Sequence, residues 1–239
     1  ELIAKLEKLN SFCFDTETTG KDPKTDQLVG IAFSWEPKRG YFVLLPKEHD
    51  QLAGVLDEFR GVFEDPKIEK VGHNLKFDLS VLLWNGIHVQ GPLFDAMLAH
   101  TLIAPDQRHK LDYMAEAILG YTPISYQSLV GKPEKGEEQL NLLDILEEKT
   151  EEVTDYSAED ADVSWQLAEK LRPQLEELGQ HQVFYDVEAP LIPVLARLEH
   201  EGVAIDPEAL KQLSVQLGDQ MKTLEQQIYD AAGEEFNLN

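Results

Sequence analysis

The sequence has little cysteine and no long apolar run, and both absences exclude whole classes of protein. Cys13 is the single cysteine among 239 residues, so no intramolecular disulfide can form. The cysteine and the histidines do not fall at the spacing of a zinc site. No apolar segment approaches the roughly 18 residues that a membrane helix needs. The sequence therefore predicts a cytoplasmic protein without membrane contact.

Basic residues are also scarce, which argues against tight binding to duplex DNA. The net charge is −24, and residues 1–133 carry 19 acidic and 14 basic side chains, whereas residues 134–239 carry 26 and 7. Protein affinity for nucleic acid depends mainly on Lys and Arg, so strong non-specific duplex binding is not expected. The nearly balanced first half is compatible with binding a strand end through divalent cations.

Three strand-like runs stand near the start of the chain, after a short amphipathic segment. They are separated by turn signals and read SFCFDTE (11–17), QLVGIAFSW (27–35) and GYFVLLP (40–46). Because the connections between them are short, we expect an antiparallel arrangement.

Helical patterns dominate the rest of the chain. We expect a helix at about 49–61, a brief strand at IEKVG, and a helix that begins near Asn74 and ends before Gly86. From about residue 94 onward the pattern is almost wholly helical, apart from a loop at GKPEKGEEQ. This order predicts an α/β fold with a mixed sheet flanked by helices.

A second unit is expected to begin near residue 183. The segment VEAPLIPVLARLEHEGVAID predicts an apolar helix, and Pro207 opens a long amphipathic helix that ends before Gly233. Two helices in about 55 residues are too few for an independent core. We therefore interpret this part as the helical opening of a further domain.

The stretch FCFDTETTG places two carboxylates at the end of an apolar strand. Residues two apart on a strand point to the same side, so Asp15 and Glu17 converge. Crowded like charges are costly unless a cation or a proton shares the site. A solvated strand end that carries two harmless acids is the alternative interpretation of this pair.

Two later motifs place further polar groups at a spacing of four on helices. Asn74 and Asp78 share one helix face, although for this pair alone helix capping by Asn74 and a favourable first-turn acid are the better explanation. In YSAEDAD, Tyr156 and Asp160 share a face, whereas Asp162 points elsewhere. Taken alone, neither pair identifies a site.

Taken together, the three motifs supply four carboxylates and a phenol. This is the set that a two-metal phosphodiesterase requires, because two Mg²⁺ or Mn²⁺ ions can activate a water and stabilise the attacking and leaving oxygens. Hard cations prefer oxygen ligands, and neither thiolate nor imidazole is needed.

The motif set resembles the DEDD superfamily of 3′→5′ exonucleases, in the branch that has Tyr in the third motif. FDTETTG, VGHNLKFDLSVL and YSAEDADVSWQL stand where the proofreading domain of family A DNA polymerases (the bacterial DNA polymerase I, Klenow-type group) has its three exonuclease motifs. The resemblance implies a ribonuclease H-like fold and a 3′→5′ exonuclease domain over residues 1–182. It identifies residues 183–239, from VEAPLIPVLARLEHEGVAID to EEFNLN, as the truncated helical start of the polymerase domain.

The resemblance also implies roles for the acids. Asp15, Glu17 and Asp160 would hold a first Mg²⁺ or Mn²⁺, and Zn²⁺ is an alternative in one of the two sites. Asp15 would bridge to a second ion that Asp78 also holds. Tyr156 and Glu17 would orient the attacking water.

Substrate contacts are implied for Thr18, Asn74 and Arg108. Many relatives have an apolar residue directly after DTETTG, where this chain has Lys21. Stacking on the terminal bases could be weaker here, or the lysine could meet a phosphate. The four carboxylates and the tyrosine are all present.

The implied activity is proofreading: removal of nucleoside monophosphates from a single-stranded or frayed DNA 3′ end. The partners would be that DNA end and the remainder of the polymerase chain, and the protein is expected to be monomeric. No polymerase activity is expected, because the 239 residues hold no palm motif of the DYSQIE kind and no 5′-nuclease domain. The alternatives are a ribonuclease D-like exoribonuclease and a non-catalytic scaffold.

Overall fold

The computed structural model describes residues 1–131 and 140–238, so residues 132–139 of the predicted loop GKPEKGEEQ lie outside the described residues. The described part contains a sheet of five strands: β1 (Ser11–Thr18), β2 (Leu28–Glu36), β3 (Arg39–Leu44), β4 (Glu69–Gly72) and β5 (Leu93–Asp95).

Helices account for most of the remaining described residues. The early ones are α1 (Leu2–Leu6), α2 (His49–Phe63), α3 (Leu75–Trp84), α4 (Ala96–Ile103) and α5 (Leu111–Met114), the last followed by a π-helical turn (Ala115–Leu119). Next come α6 (Tyr126–Val130), α7 (Leu142–Ile145), α8 (Thr150–Glu177), α9 (His181–Val183), a second π-helical turn (Phe184–Glu188), α10 (Ala189–Glu201) and α11 (Pro207–Ala232).

The sheet is mixed, with β1 at its centre and the order β3-β2-β1-β4-β5. β1 pairs antiparallel with β2, and β2 with β3, as their short connections predict. β4 and β5 are parallel to β1 and are reached through helices, as parallel connections require. The α/β prediction with three antiparallel strands first is confirmed.

The first half of β1 has three consecutive buried apolar residues, Phe12, Cys13 and Phe14, because both faces of the sheet are covered. Phe12 and Phe14 both make edge contacts with Phe63 of α2. On the sheet, α8 packs against β1, β2 and β3. Side chains alternate along a strand, so Cys13, Asp15 and Glu17 point to the opposite side, toward α8.

One strand was not expected from the sequence. The three residues of β5 fall at the point where helical pattern was predicted to take over, and all three are buried. So short a strand carries no periodicity of its own. It forms because β4 offers a parallel partner, with Gly72 opposite Asp95.

The first compact unit continues past the expected boundary at residue 182 and runs from Glu1 to Glu201. Phe184, Ile192 and Ala196 are buried in its hydrophobic core, and α10 packs along α3. One apolar face of α10 is therefore buried in this unit, whereas Leu191, Val194, Leu195 and Leu198 are exposed. The role of residues 183–239 as the start of a polymerase domain stays a prediction.

The second unit is Gly202–Asn239. Its helix α11 begins as predicted at Pro207, and the Asp206 side chain accepts hydrogen bonds from the Glu208 and Ala209 backbone N–H groups at 3.0 Å each. The helix ends at Gly233, which adopts a left-handed conformation with φ of 78°. Among the described residues, no helix is long and apolar enough to cross a membrane.

Candidate active site

Three carboxylates meet where the last residues of β1 face α8. Asp15 and Glu17 lie on the side of the strand that faces this helix, and Asp160 extends from the helix toward them. One carboxylate oxygen from each of the three lies within 4.8 Å of the other two. The sequence predicted the convergence of the first pair, and the fold adds the third acid from 143 residues further along the chain.

A glycine permits the close approach of α8 to the sheet. A Cβ added to Gly40 of β3 would lie 2.1 Å from the carbonyl oxygen of Ala158, which is far inside contact distance. Any side chain at this position would push the helix outward. The close packing therefore determines how near Asp160 comes to β1.

Asp78 reaches the same end of β1 from α3 and is 3% exposed. Its Oδ1 accepts two hydrogen bonds from Thr16, one from the backbone N–H at 2.8 Å and one from Oγ1 at 2.7 Å. Both bonds use the same oxygen, so Thr16 does not engage Oδ2. Among the described residues, the cluster with metal-ligand spacing contains the three other acids but not Asp78.

The crowding of these acids changes their protonation. Burial, with the Asp160 charge second, raises the pKa of Glu17 to about 8. Burial likewise raises the pKa of Asp78 and of Asp160 to about 7 each. For Asp15, burial and then the neighbouring carboxylates, led by Asp78, raise the pKa well above its usual range.

The residues fit a divalent cation. Glu17 is 8% exposed, and its Oε1 is buried without a hydrogen-bond partner, which is costly for a carboxylate oxygen. The donors at the cluster are all oxygens, the kind that Mg²⁺ and Mn²⁺ prefer. A cation would compensate both the orphaned oxygen and the mutual repulsion.

Tyr156 lies one helical turn before Asp160, and its hydroxyl interacts with that carboxylate, which counteracts part of the rise in the Asp160 pKa. Burial, followed by the charges of Asp160 and Glu17, raises the pKa of Tyr156 above its ordinary value. The phenol therefore keeps its proton at neutral pH and can act as a hydrogen-bond donor.

Asn74 occupies the N-cap position of α3, but its side chain makes no capping hydrogen bond. The residue is exposed and adopts a left-handed backbone conformation with φ of 62°. The capping alternative considered for this residue is therefore wrong. Asp95, 21 residues away, accepts the hydrogen bonds from the start of the helix.

Thr18 follows Glu17 at the end of β1, whereas Arg108 lies on the segment between α4 and α5. A bulge between Glu17 and Thr18 ends the regular strand, and Thr18 Oγ1 donates to the Gly20 carbonyl at 2.7 Å. Arg108 is exposed and precedes His109, whose Nδ1 lies 2.9 Å from Nδ1 of the buried His100. The histidine pair anchors the segment that carries the arginine. Their roles toward a substrate stay predictions.

Three residues of the site were missed by the sequence reasoning: Thr16, Asp95 and Tyr126. The Tyr126 ring meets that of Tyr156 edge-on at 6.3 Å, and burial, followed by the charge of the nearby Glu17, raises the Tyr126 pKa. Thr16 was treated only as the spacer of the D-x-E motif. For Asp95 and Tyr126 no local signal exists, because each reaches the site through contacts distant in sequence.

Comparison with known proteins shows the family to which the chain belongs. A family model described as a 3′-5′ exonuclease matches residues 1–176. The chain belongs to this exonuclease family. It is 37% identical over 248 residues to DNA polymerase I of Pseudomonas aeruginosa and 32% identical over 243 residues to that of Borreliella burgdorferi. The matches cover 99% and 100% of this chain but 26% of each relative, so the chain spans about a quarter of their length.

Solved structures agree with the family assignment at the level of fold. The chain resembles Brucella melitensis NrnC with a TM-score of 0.65 and 21% identity, covering 82% of this chain and 87% of that one. It also resembles the POL domain of Pol1 from M. smegmatis, in complex with DNA primer-template and dNTP, with a TM-score of 0.74 and 19% identity, covering 100% and 37%. These likenesses confirm the predicted ribonuclease H-like fold. The prediction of a 3′-5′ exonuclease domain of the DNA polymerase I family is confirmed by the family match.

Proposed function

We propose that this domain hydrolyses phosphodiester bonds with two bound divalent cations and removes nucleoside monophosphates from single-stranded or frayed DNA 3′ ends. The observation that carries the proposal is the cluster of Asp15, Glu17 and Asp160, with its buried and unpartnered Glu17 oxygen. The oxygens of a buried structural acid are usually paired, whereas Glu17 Oε1 lacks a partner at the position where a ligand would supply it.

The chain's own residues divide the work between two ions, with Mg²⁺ or Mn²⁺ as candidates. Asp15, Glu17 and Asp160 would hold one ion, and Asp15 and Asp78 would hold the other. Such ions lower the pKa of a bound water and offset charge on the phosphate. Asp78 is presented to the site by the two Thr16 hydrogen bonds, which occupy Oδ1.

Tyr156 and Glu17 orient the attacking water. The protonated phenol of Tyr156 donates a hydrogen bond to the water oxygen, and the Glu17 carboxylate accepts one from it. Since the tyrosine keeps its proton throughout, it orients the water and does not act as the base.

The scarcity of basic residues supports a substrate that presents a strand end and not a long duplex. Thr18, Asn74 and Arg108 are proposed to contact its last nucleotides, and the exposed face of Tyr126 offers a stacking surface for a base. The relatives named DNA polymerase I support DNA as the substrate, and a longer polymerase chain as the physiological context.

The test uses 5′-labelled single-stranded DNA and the matching RNA, each with Mg²⁺, Mn²⁺ or EDTA. We expect metal-dependent shortening of the DNA from its 3′ end, which Asp160→Asn abolishes. The control variant is Asp155→Asn, which removes an exposed acid of the same helix and should retain full activity.

Faster shortening of the RNA would replace the DNA proposal with an exoribonuclease. Failure to cut either strand, with no binding of Mn²⁺, would identify the domain as a scaffold. Equal losses in Asp160→Asn and Asp155→Asn would contradict the assignment of the cluster.

A further inference from the structure

The Asp95 carboxylate caps two helices at once. It lies at the end of β5, is 1% exposed, and accepts hydrogen bonds from four backbone N–H groups. Its Oδ1 accepts from Met97 at 2.8 Å and Leu98 at 3.2 Å, which open α4, and from Asn74 at 3.2 Å. Its Oδ2 accepts from Leu75 at 2.8 Å, the first residue of α3.

Capping of its own helix α4 is the ordinary role of an aspartate in this position. Capping of α3 is not, because α3 follows a different strand and begins 21 residues earlier. Asn74 stands at the usual capping position of α3, but its left-handed backbone leaves its side chain without a capping bond. The start of α3 therefore depends on an acid from outside that helix.

The helix that Asp95 holds is the one that brings Asp78 to the candidate active site. Asp78 lies in the first turn of α3, about 4.5 Å along the axis from Leu75. Its Oδ1 is fixed by Thr16 of β1, so the direction of its other oxygen depends on where this first turn sits. Asp95 fixes that turn through Oδ2, while the pairing of Gly72 with Asp95 fixes the strand before it.

We propose that Asp95 is a positioning residue for the metal centre. By holding the first turn of α3, it sets the position of Asp78 and hence the affinity of the ion that Asp78 would bind. The inference rests on the proposed two-metal function. Groups that hold a metal ligand in place typically change metal affinity by about 10–100-fold when they are removed.

The test is designed to separate the two helices. In Asp95→Ser, the short hydroxyl can still accept from the α4 backbone but cannot reach α3. Mn²⁺ titrations of the purified protein, followed by the EPR signal of free Mn²⁺, give the number of bound ions and their affinities. We expect one of the two sites, the one that Asp78 would help to form, to lose about tenfold or more in affinity, while the other stays within about twofold.

Asp95→Asn is the milder variant, because it keeps the shape and one acceptor oxygen, and we expect a smaller loss at the same site. Val62→Ala is the control for general loss of stability, because it truncates a core residue that is 1% exposed and lies on α2, a helix that contributes no acid to the cluster. This control should bind Mn²⁺ as the wild type does. Activity should follow the same order, with kcat of Asp95→Ser recovering as Mn²⁺ is raised.

Unchanged affinities in both Asp95 variants would overturn the positioning role and leave the proposed function intact. An equal loss in Val62→Ala would also overturn it, because the effect would then follow from general instability. A wild-type protein that binds no Mn²⁺ would instead disprove the two-metal function on which the inference rests.

Discussion

The helix α8 carries a charged group near each end of the sheet, and the two ends are built in opposite ways. At one end, Asp160 faces Asp15 and Glu17, three acids without a basic partner among them. About three turns further along, Arg172 meets Glu69 at the start of β4. The same helix therefore contributes to one region of paired charge and to one of unpaired charge.

At the paired end, Arg172 and Glu69 each have more than one hydrogen-bond partner. Arg172 donates to both Glu69 oxygens, at 3.0 Å and 2.6 Å, and to the Tyr185 hydroxyl at 2.8 Å. Ser11 donates to Glu69 at 3.0 Å, and the guanidinium lies 4.1 Å from the centre of the Phe94 ring. This geometry is bidentate and partly buried, the kind of ion pair that ties elements together.

The difference between the ends separates charge used for stability from charge held for a ligand. Natural folds pair their buried charges, so an unpaired group marks a place where folding alone is not what the residues serve. In this protein the contrast can be tested by removing one carboxylate at each end.

The largest effect is expected from Glu17→Gln, which removes one negative charge at the unpaired end. Exonuclease activity should fall on the order of 10³-fold or more, because a proposed metal ligand is lost while the shape remains. Single-turnover cleavage of labelled DNA measures this. Activity within about threefold of wild type would contradict the role of Glu17.

The matched change at the paired end is Glu69→Gln, for which the opposite outcome is expected. The free energy of unfolding should fall by about 2 kcal/mol, because Arg172 loses its partner while it stays partly buried. Cleavage per folded molecule should be unchanged. Urea unfolding measures the loss, and a double variant with Arg172→Met shows whether the two residues act as a pair.

The two ends should also differ in how they affect the pH dependence of stability in the metal-free protein. Burial raises the pKa of Glu17 to about 8 and that of Asp160 to about 7, whereas the unfolded chain releases these protons near about pH 4. Between these values the native state binds more protons than the unfolded state. The free energy of unfolding should therefore fall as pH rises from 5 to 8.5, by about 1–3 kcal/mol.

Urea unfolding in EDTA at each pH measures this slope. Glu17→Gln should flatten it and stabilise the metal-free protein above pH 7, whereas Glu69→Gln should leave the slope unchanged. Addition of Mn²⁺ should restore stability at high pH in the wild type and in Glu69→Gln, but not in Glu17→Gln. Identical slopes in all three proteins would show that the cluster does not hold protons in the native state.

The smallest effect is expected from Tyr156→Phe, which removes only the phenolic hydroxyl. We expect a decrease in kcat of about 10–100-fold, because the water loses an orienting donor but the carboxylates remain. Mn²⁺ affinity should stay close to that of the wild type. The control is Tyr126→Phe, since the ring that is proposed to stack on a base is retained, and its kcat should not change.

Local patterns in the sequence were sufficient for much of the fold and for the relative placement of the acids within each motif. Alternation along the first apolar run predicted that Asp15 and Glu17 emerge on one side, and the spacing of four placed Tyr156 and Asp160 on one helix face. Turn signals and short connections indicated the antiparallel order of the first three strands. These features depend on residues that are close in sequence, so a single chain displays them directly.

What only the tertiary structure decided are the contacts between residues far apart. The strand β5 is too short to have a pattern, and Asp95 at its end looks like an ordinary helix cap until α3 is seen beside it. Thr16 becomes the anchor of Asp78 only because the fold joins residues 62 positions apart. The sequence by itself thus determined that Asp15 and Glu17 lie on one side of β1 and that Tyr156 and Asp160 share one face of α8. The packing of α3 and α8 on β1 decided which of them meet, because that distance depends on long-range burial and hydrogen bonding, which local periodicity does not encode.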